Sequence, residues 1–126
     1  MCHPKIKGLS ENPKYIAFRL RSPQEFKPDT FRAIRGLYLL YNHFPESMQY
    51  PIETEMWGYS VGKERIHYDG GLYFIHIEDK VLTVIGTLKR IPSTYPFPQA
   101  LRFEKDRGWT MEKAVEWLEE RFKIEE

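Results

Sequence analysis

Residues 99–122 constrain the fold of this 126-residue chain more than any other stretch. Leu101 and Phe103 alternate with Arg102 and Glu104, the period of a strand with one buried face. Gly108 then offers a turn, Thr110 a helix N-cap, and Glu112 an acid in the first turn, where the helix dipole favours negative charge. From there Met111, Ala114, Val115, Leu118 and Phe122 recur at helical spacing on one stripe, with Trp117 at its flank. Trp109, just ahead of the cap, is placed to staple the start of the helix. A strand, a turn and a one-sided helix together predict a helix laid over the apolar face of a sheet. Both tryptophans are expected in the core, because large aromatics dominate packing in a domain of this size.

The sheet is sought upstream. Ile16, Phe18 and Leu20 alternate with Tyr15, Ala17, Arg19 and Arg21, a half-buried strand that Ser22-Pro23 ends. Residues 29–44 offer two readings. Asp29 or Thr30 could cap a helix, but Gly36 and the aromatic residues after it favour extended chain, and the segment is read as strand-like. Residues 45–62, with two prolines and Trp57, look like a long connection packed by its aromatics. Asp69-Gly70-Gly71 is a hairpin signal, and Asp79-Lys80 separates residues 72–77 from residues 81–89. Two-residue loops at both places predict a meander in which Ile75 faces Val84 and Ile77 faces Leu82, with Ile66, Tyr68 and Tyr73 on the same side. Arg65, His67, Phe74, His76, Thr83, Ile85 and Lys89 then share the other, mixed face. Residues 1–13 hold Pro4, Gly8 and Pro13 without a period and read as a flexible or loosely docked arm. The expected architecture is α+β: a single domain over residues 14–126, an antiparallel β meander packed against a C-terminal α-helix.

Composition narrows the function classes. Apolar residues make up 41% of the chain, enough for one packed core, and no apolar run approaches the ~20 residues that span a bilayer. With one cysteine, Cys2, the chain can close no disulfide on itself and build no thiolate metal cage. A cytoplasmic protein with no membrane partner is expected. Charged residues reach 29% while Asn and Gln number five, a balance common in thermophile proteins. The net charge of +1 hides alternation: residues 1–36 carry an excess of +5, 37–79 of −5, 80–111 of +4 and 112–126 of −3. Internal ion pairing accounts for such blocks, and so does one basic face assembled from distant strands.

Catalytic patterns are sparse. Val61-Gly62-Lys63-Glu64 lacks the first glycine and the Ser/Thr of a phosphate loop, and there is no HExxH, GxSxG or CxxC. Asp69 followed by Glu78-Asp79-Lys80 resembles the carboxylate and lysine set of metal-dependent nucleases, but placed at opposite ends of one strand the two carboxylates would stand roughly 30 Å apart. His67 and His76 lie on the mixed face. They are diagonal neighbours if Gly70-Gly71 form the loop and further apart if Asp69-Gly70 do, and without a third ligand they read as exposed strand residues. Glu112, Glu116, Glu119 and Glu120 read as a solvated helix face, with Glu119 and Lys123 at ion-pair spacing. No cofactor-binding or catalytic residue is assigned. The positive signal is basic and aromatic interleaving: Tyr15 with Arg19 and Arg21, then Arg32, Arg35, Lys89, Arg90, Arg102, Lys105 and Arg107, a set that on a sheet could follow a phosphate backbone and stack on bases.

Phe31-Arg32, residues 86–89, Gln99, Phe103-Glu104-Lys105 and the run Trp109-Thr110-Met111-Glu112-Lys113-Ala114-Val115-Glu116-Trp117 together resemble a pattern in small domains of phages, prophages and archaeal mobile elements. The resemblance covers about half the chain and leaves residues 37–70 without counterpart. It implies a viral or mobile-element setting rather than an activity. The expected role is a non-enzymatic protein-interaction or structural accessory domain, with a protein partner or a second copy of the chain. The alternative is a nucleic-acid-binding module that uses the basic and aromatic sheet face, and a metal-dependent nuclease is the least favoured.

Overall fold

A computed structural model describes residues 5–52, 66–90 and 95–124. Six strands form one sheet in which every pairing is antiparallel, and a single helix follows at the C-terminal end. The strands are β1 (Leu9–Glu11), β2 (Tyr15–Arg19), β3 (Arg32–Leu40), β4 (Ile66–Asp69), β5 (Leu72–Gly86) and β6 (Phe97–Glu104), and the helix is α1 (Met111–Arg121). Their spatial order is β1-β2-β6-β5-β3, with β4 paired to the first half of β5.

The end of the chain folds as its sequence dictates. Gly108 takes the left-handed conformation at φ 90°, and the Thr110 side chain accepts a hydrogen bond from the Lys113 N–H. Ala114, Trp117, Leu118 and Phe122 are buried against Ile16, Phe18, Leu101, Phe103, Ile75, Ile77, Val81 and Ile85. Trp117 lies inside the buried stripe rather than at its flank, and Arg121 is buried with it. The helix stops at Arg121, so Lys123 falls outside the geometry of an i,i+4 pair with Glu119. The glutamates Glu112, Glu116, Glu119 and Glu120 are exposed.

Three expectations are corrected. Residues 72–77 and 81–89 are not joined by a hairpin: β5 runs unbroken through Asp79-Lys80 for 15 residues. A two-residue turn needs positive φ, which among the described residues only glycines adopt, and residues 79–80 offer none. Instead Arg35 pairs with Leu82 and Leu37 with Ile77, so Glu78, Asp79, Lys80 and Val81 bulge opposite the single residue Gly36. Ile75 therefore faces Leu39 and Ile66, not Val84; Ile77 faces Leu37, not Leu82. Beyond the bulge the faces exchange relative to the expected meander: Val81, Thr83 and Ile85 join the core side, while Leu82 and Val84 take the opposite phase, Val84 being buried there all the same. The second correction concerns the N-terminal arm, since Leu9–Glu11 pairs with β2 and both Ile6 and Leu9 are buried in the core. The third is a distance. Asp69 lies opposite Leu72, six residues from Glu78 along β5, so the separation is about 20 Å rather than 30 Å at ~3.3 Å per residue.

Residues 29–44 contain the strand β3, in agreement with the strand-like reading. The connection after it is described only to residue 52; it begins with two short 3-10 turns and buries Met48, while Trp57 lies outside the described residues. No helix among the described residues is long and apolar enough to cross a membrane.

Candidate nucleic-acid interface

Alternation fixes what the sheet presents on the side away from α1. One row across four strands is Ala17, Arg102, Leu82 and Arg35; the next is Arg19, Ala100, Val84 and Ala33. Tyr15 and Glu104 face each other on the adjoining row. At the far end of β5, Phe26 and Phe31 lie over Gly86, where a Cβ would meet the Phe26 ring at 2.8 Å, and with Leu88 and Phe97 they make a second small core. Between that core and the bulge the face carries Arg19, Arg35 and Arg102 among aliphatic side chains, of which Val84 and Ala100 are buried.

The charge on this face is unbalanced. Arg35 and Arg107 both reach the Glu104 carboxylate, so two guanidiniums share one acid. Arg102 lies over the Tyr15 ring, 4.8 Å from its centroid. Among the described residues neither Arg19 nor Arg102 has a carboxylate partner. An uncompensated guanidinium over an aromatic ring keeps its in-plane donors free for a phosphate or carboxylate.

The other basic residues singled out from the sequence do not join it. Arg32 falls on the core-side phase at the exposed start of β3, opposite Ile85. Arg21 donates to the His43 carbonyl at 3.1 Å and sits 5.8 Å from the Phe97 centroid. Arg90 pairs with Glu25 at 3.9 Å, beside Lys89, whose N–H is held by the Glu25 carbonyl. Lys105 pairs with Glu11 at 2.6 Å, and its hydrogen bond and charge hold the Glu11 carboxyl below the usual carboxylate range. Of nine candidates the fold thus sets Arg19, Arg35 and Arg102 on one face, brings Arg107 to its Glu104 from the recess beside α1, and separates Arg21, Arg32, Lys89, Arg90 and Lys105.

Sequence reasoning placed His67, Phe74 and His76 on this face but missed Tyr38. Past the bulge, outward positions on β3, β5 and β4 hold Tyr38 opposite His76, and Leu40 and His67 on either side of Phe74. The Tyr38 ring stacks on His76 with centroids 4.4 Å apart and planes 17° apart, and meets His67 edge-on at 5.9 Å. Tyr38 is nonetheless 58% exposed. The pairing of Asp69 with Leu72 leaves Gly70-Gly71 as the loop, so His67 and His76 are the diagonal neighbours that one of the two registers required. Only the bulge, which no local pattern announced, carries Tyr38 to their side.

A second recess, of about 510 Å³, lies between the bulge and α1 and is floored by Trp109 and Trp117. Here the nuclease-like Glu78 and Lys80 are employed in holding the helix. Glu78 meets Lys80 at 3.2 Å and Arg121 at 2.5 Å, while the indole N–H of Trp109 donates to the Lys80 carbonyl at 2.8 Å. Burial pushes the Glu78 carboxyl up, but the Lys80 hydrogen bond and the charges of Arg121 and Lys80 outweigh it and hold the group below its ordinary value. Among the described residues no three His, Cys, Asp or Glu side chains stand close enough together to hold a metal ion. Comparison with protein families, curated proteins and solved structures found no match.

Proposed function

We propose that this chain is a non-enzymatic, single-domain binding module whose outer sheet face engages the phosphate backbone of a nucleic acid. The observation that carries this reading is the set of arginines gathered on one face: Arg19, Arg35 and Arg102 point away from α1 and Arg107 reaches the Glu104 carboxylate from the following turn, with Arg19 and Arg102 in no ion pair among the described residues. The low net charge of +1 places the expected affinity at the weak end, and its salt dependence should follow the few phosphates that the arginines neutralise.

The test is fluorescence anisotropy of a labelled oligonucleotide titrated with the full chain at rising salt. Binding at low salt should weaken on a log-log slope of about −2 to −3, as roughly three to four neutralised phosphates require. Charge reversal of Arg102→Glu should lower affinity by about tenfold or more, because it removes one contact and adds a repulsion. No binding at low salt would overturn the reading.

A protein partner or a second copy of the chain is the other reading, favoured by the tip of the β4–β5 hairpin, where Tyr68 is 41% and Leu72 47% exposed. Light scattering separates it: a concentration-dependent dimer abolished by Leu72→Asp supports association, and a monomer at high concentration removes self-association.

A further inference from the structure

We infer that the nucleic acid this face takes is single-stranded, with one unpaired base stacked on the exposed ring of Tyr38. The inference rests on the binding reading above and adds to it the class of strand and the position of a base. Tyr38 is held flat by His76 on one side and by the edge of His67, so its rotamer is already restricted before any ligand arrives. Because β3 is the last strand in the order β1-β2-β6-β5-β3, no neighbouring strand stands beyond it among the described residues. Tyr38 is 58% exposed although its ring packs against two imidazoles. Base stacking on such a platform is tolerant of sequence, since every base has a π-face, and the restriction by His76 reduces the ordering cost of binding.

Position makes this platform part of the arginine face rather than a separate feature. Tyr38 and Arg35 are on the same side of β3, flanking Gly36 at the bulge, and lie about 10 Å apart at ~3.3 Å per residue. From Arg35 the row continues over Leu82 to Arg102, two strand spacings or about 10 Å further. A path of about 20 Å from an aromatic platform to two guanidiniums suits a few nucleotides, at the short end of the sites of about 4–16 nucleotides used by single-strand-binding sheets. A base in an intact duplex is stacked on its neighbours and cannot lie on Tyr38, so charge alone would bind duplex while charge with stacking selects the open strand.

The experiment compares ten-nucleotide single-stranded DNA, the same sequence as RNA, and the corresponding DNA duplex by fluorescence anisotropy. The proteins are the native chain, Tyr38→Ala, Tyr38→Phe and Arg102→Glu, each checked for native circular dichroism. We expect both single strands to bind more tightly than the duplex, Tyr38→Ala to weaken single-strand binding about tenfold with little effect on duplex, and Tyr38→Phe to retain it, since the ring rather than the hydroxyl does the stacking. A difference between the DNA and RNA arms identifies which strand is preferred, and either preference supports the inference. Equal binding of duplex and single strand, with Tyr38→Ala unchanged and Arg102→Glu impaired, would overturn the stacking inference and leave the backbone-binding reading standing. Absence of binding to all three probes would remove both.

Discussion

The guanidinium of Arg121, with its side chain only 3% exposed, meets the carboxylate of Glu78 at 2.5 Å and pins the last turn of α1 to the bulge of β5. The same guanidinium stacks 4.2 Å from the Trp117 centroid and donates to the Trp117 carbonyl at 3.1 Å, one turn back along the helix. Removing one member of a largely buried pair leaves the other desolvated and alone. Glu78→Ala is expected to destabilise the chain by about 2–4 kcal/mol, because it strands the buried Arg121 guanidinium, and Arg121→Ala by less, because the Glu78 carboxylate left behind is 30% exposed and still meets Lys80. Replacing both by apolar residues, Glu78→Leu with Arg121→Met, should recover much of the loss. Chemical denaturation of the four proteins checks this, and an additive double variant would show that the two side chains do not act as a pair.

Gly36 makes the bulge, and with it the placement of Tyr38, dependent on one residue. Its φ of 68° lies where L side chains are strained, and a Cβ there would press on the Asp79 carboxylate. Asp79 is a flexible exposed side chain and can move, so the backbone conformation sets most of the cost. Gly36→Ala should cost about 1–2 kcal/mol in denaturant, and Asp79→Ala should not rescue it. A rescue would mean that the clash rather than φ is the cause. Gly86→Ala is expected to be at least as costly for a different reason, since the Phe26 ring, 1% exposed, has little room to give.

The N-cap of α1 offers a smaller, cleaner test. Thr110 accepts from the Lys113 N–H at 3.2 Å, satisfying one of the free donors at the helix start. Thr110→Ala should cost about 1 kcal/mol, and Thr110→Ser or Thr110→Asp should retain most of the stability, as measured by the shift in denaturation midpoint at unchanged m-value.

These sites differ in how far the sequence announced them. The cap, the turn at Gly108 and the packing of Trp109 and Trp117 were legible because each depends on residues within a few positions of one another. The hairpin at Gly70-Gly71 was legible for the same reason, its register aside. What was not legible depends on partners distant in the chain. The break in alternation at Asp79-Lys80 reads equally as a turn or as a bulge, and only pairing of β5 with Gly36, 43 residues earlier, decides. That choice reverses the facing of every residue from Val81 to Ile85, because the side-chain period of a strand is two. Arg121 was hidden differently. It lies three and four residues from Leu118 and Trp117, on the apolar stripe, but a charged residue there is ordinarily assigned to solvent unless its buried partner is known. The basic residues were found by type, and which of them share a face was settled by strand register alone.

His43 connects pH to stability. Its ring stacks on Phe97 at 3.8 Å and meets Tyr95 edge-on at 4.8 Å, and its buried Nδ1 has no hydrogen-bond partner among the described residues. Burial lowers the imidazole pKa below its ordinary value; a hydrogen bond to the Pro96 carbonyl opposes this in part, and the nearby charge of Arg21 adds to the lowering. The folded protein therefore holds His43 neutral where the unfolded chain, with a pKa of about 6.5, has begun to take up a proton. Its contribution to stability is fully present above that pH, is lost as the pH falls toward the lower folded value, and levels off below it. His43→Phe keeps an aromatic ring against Phe97 and removes the titration. Denaturation midpoints measured between about pH 7.5 and about pH 5 should fall for the native chain and fall less for His43→Phe, so the gap between the two curves changes across this window. Parallel curves would show that protonation of His43 is not coupled to folding.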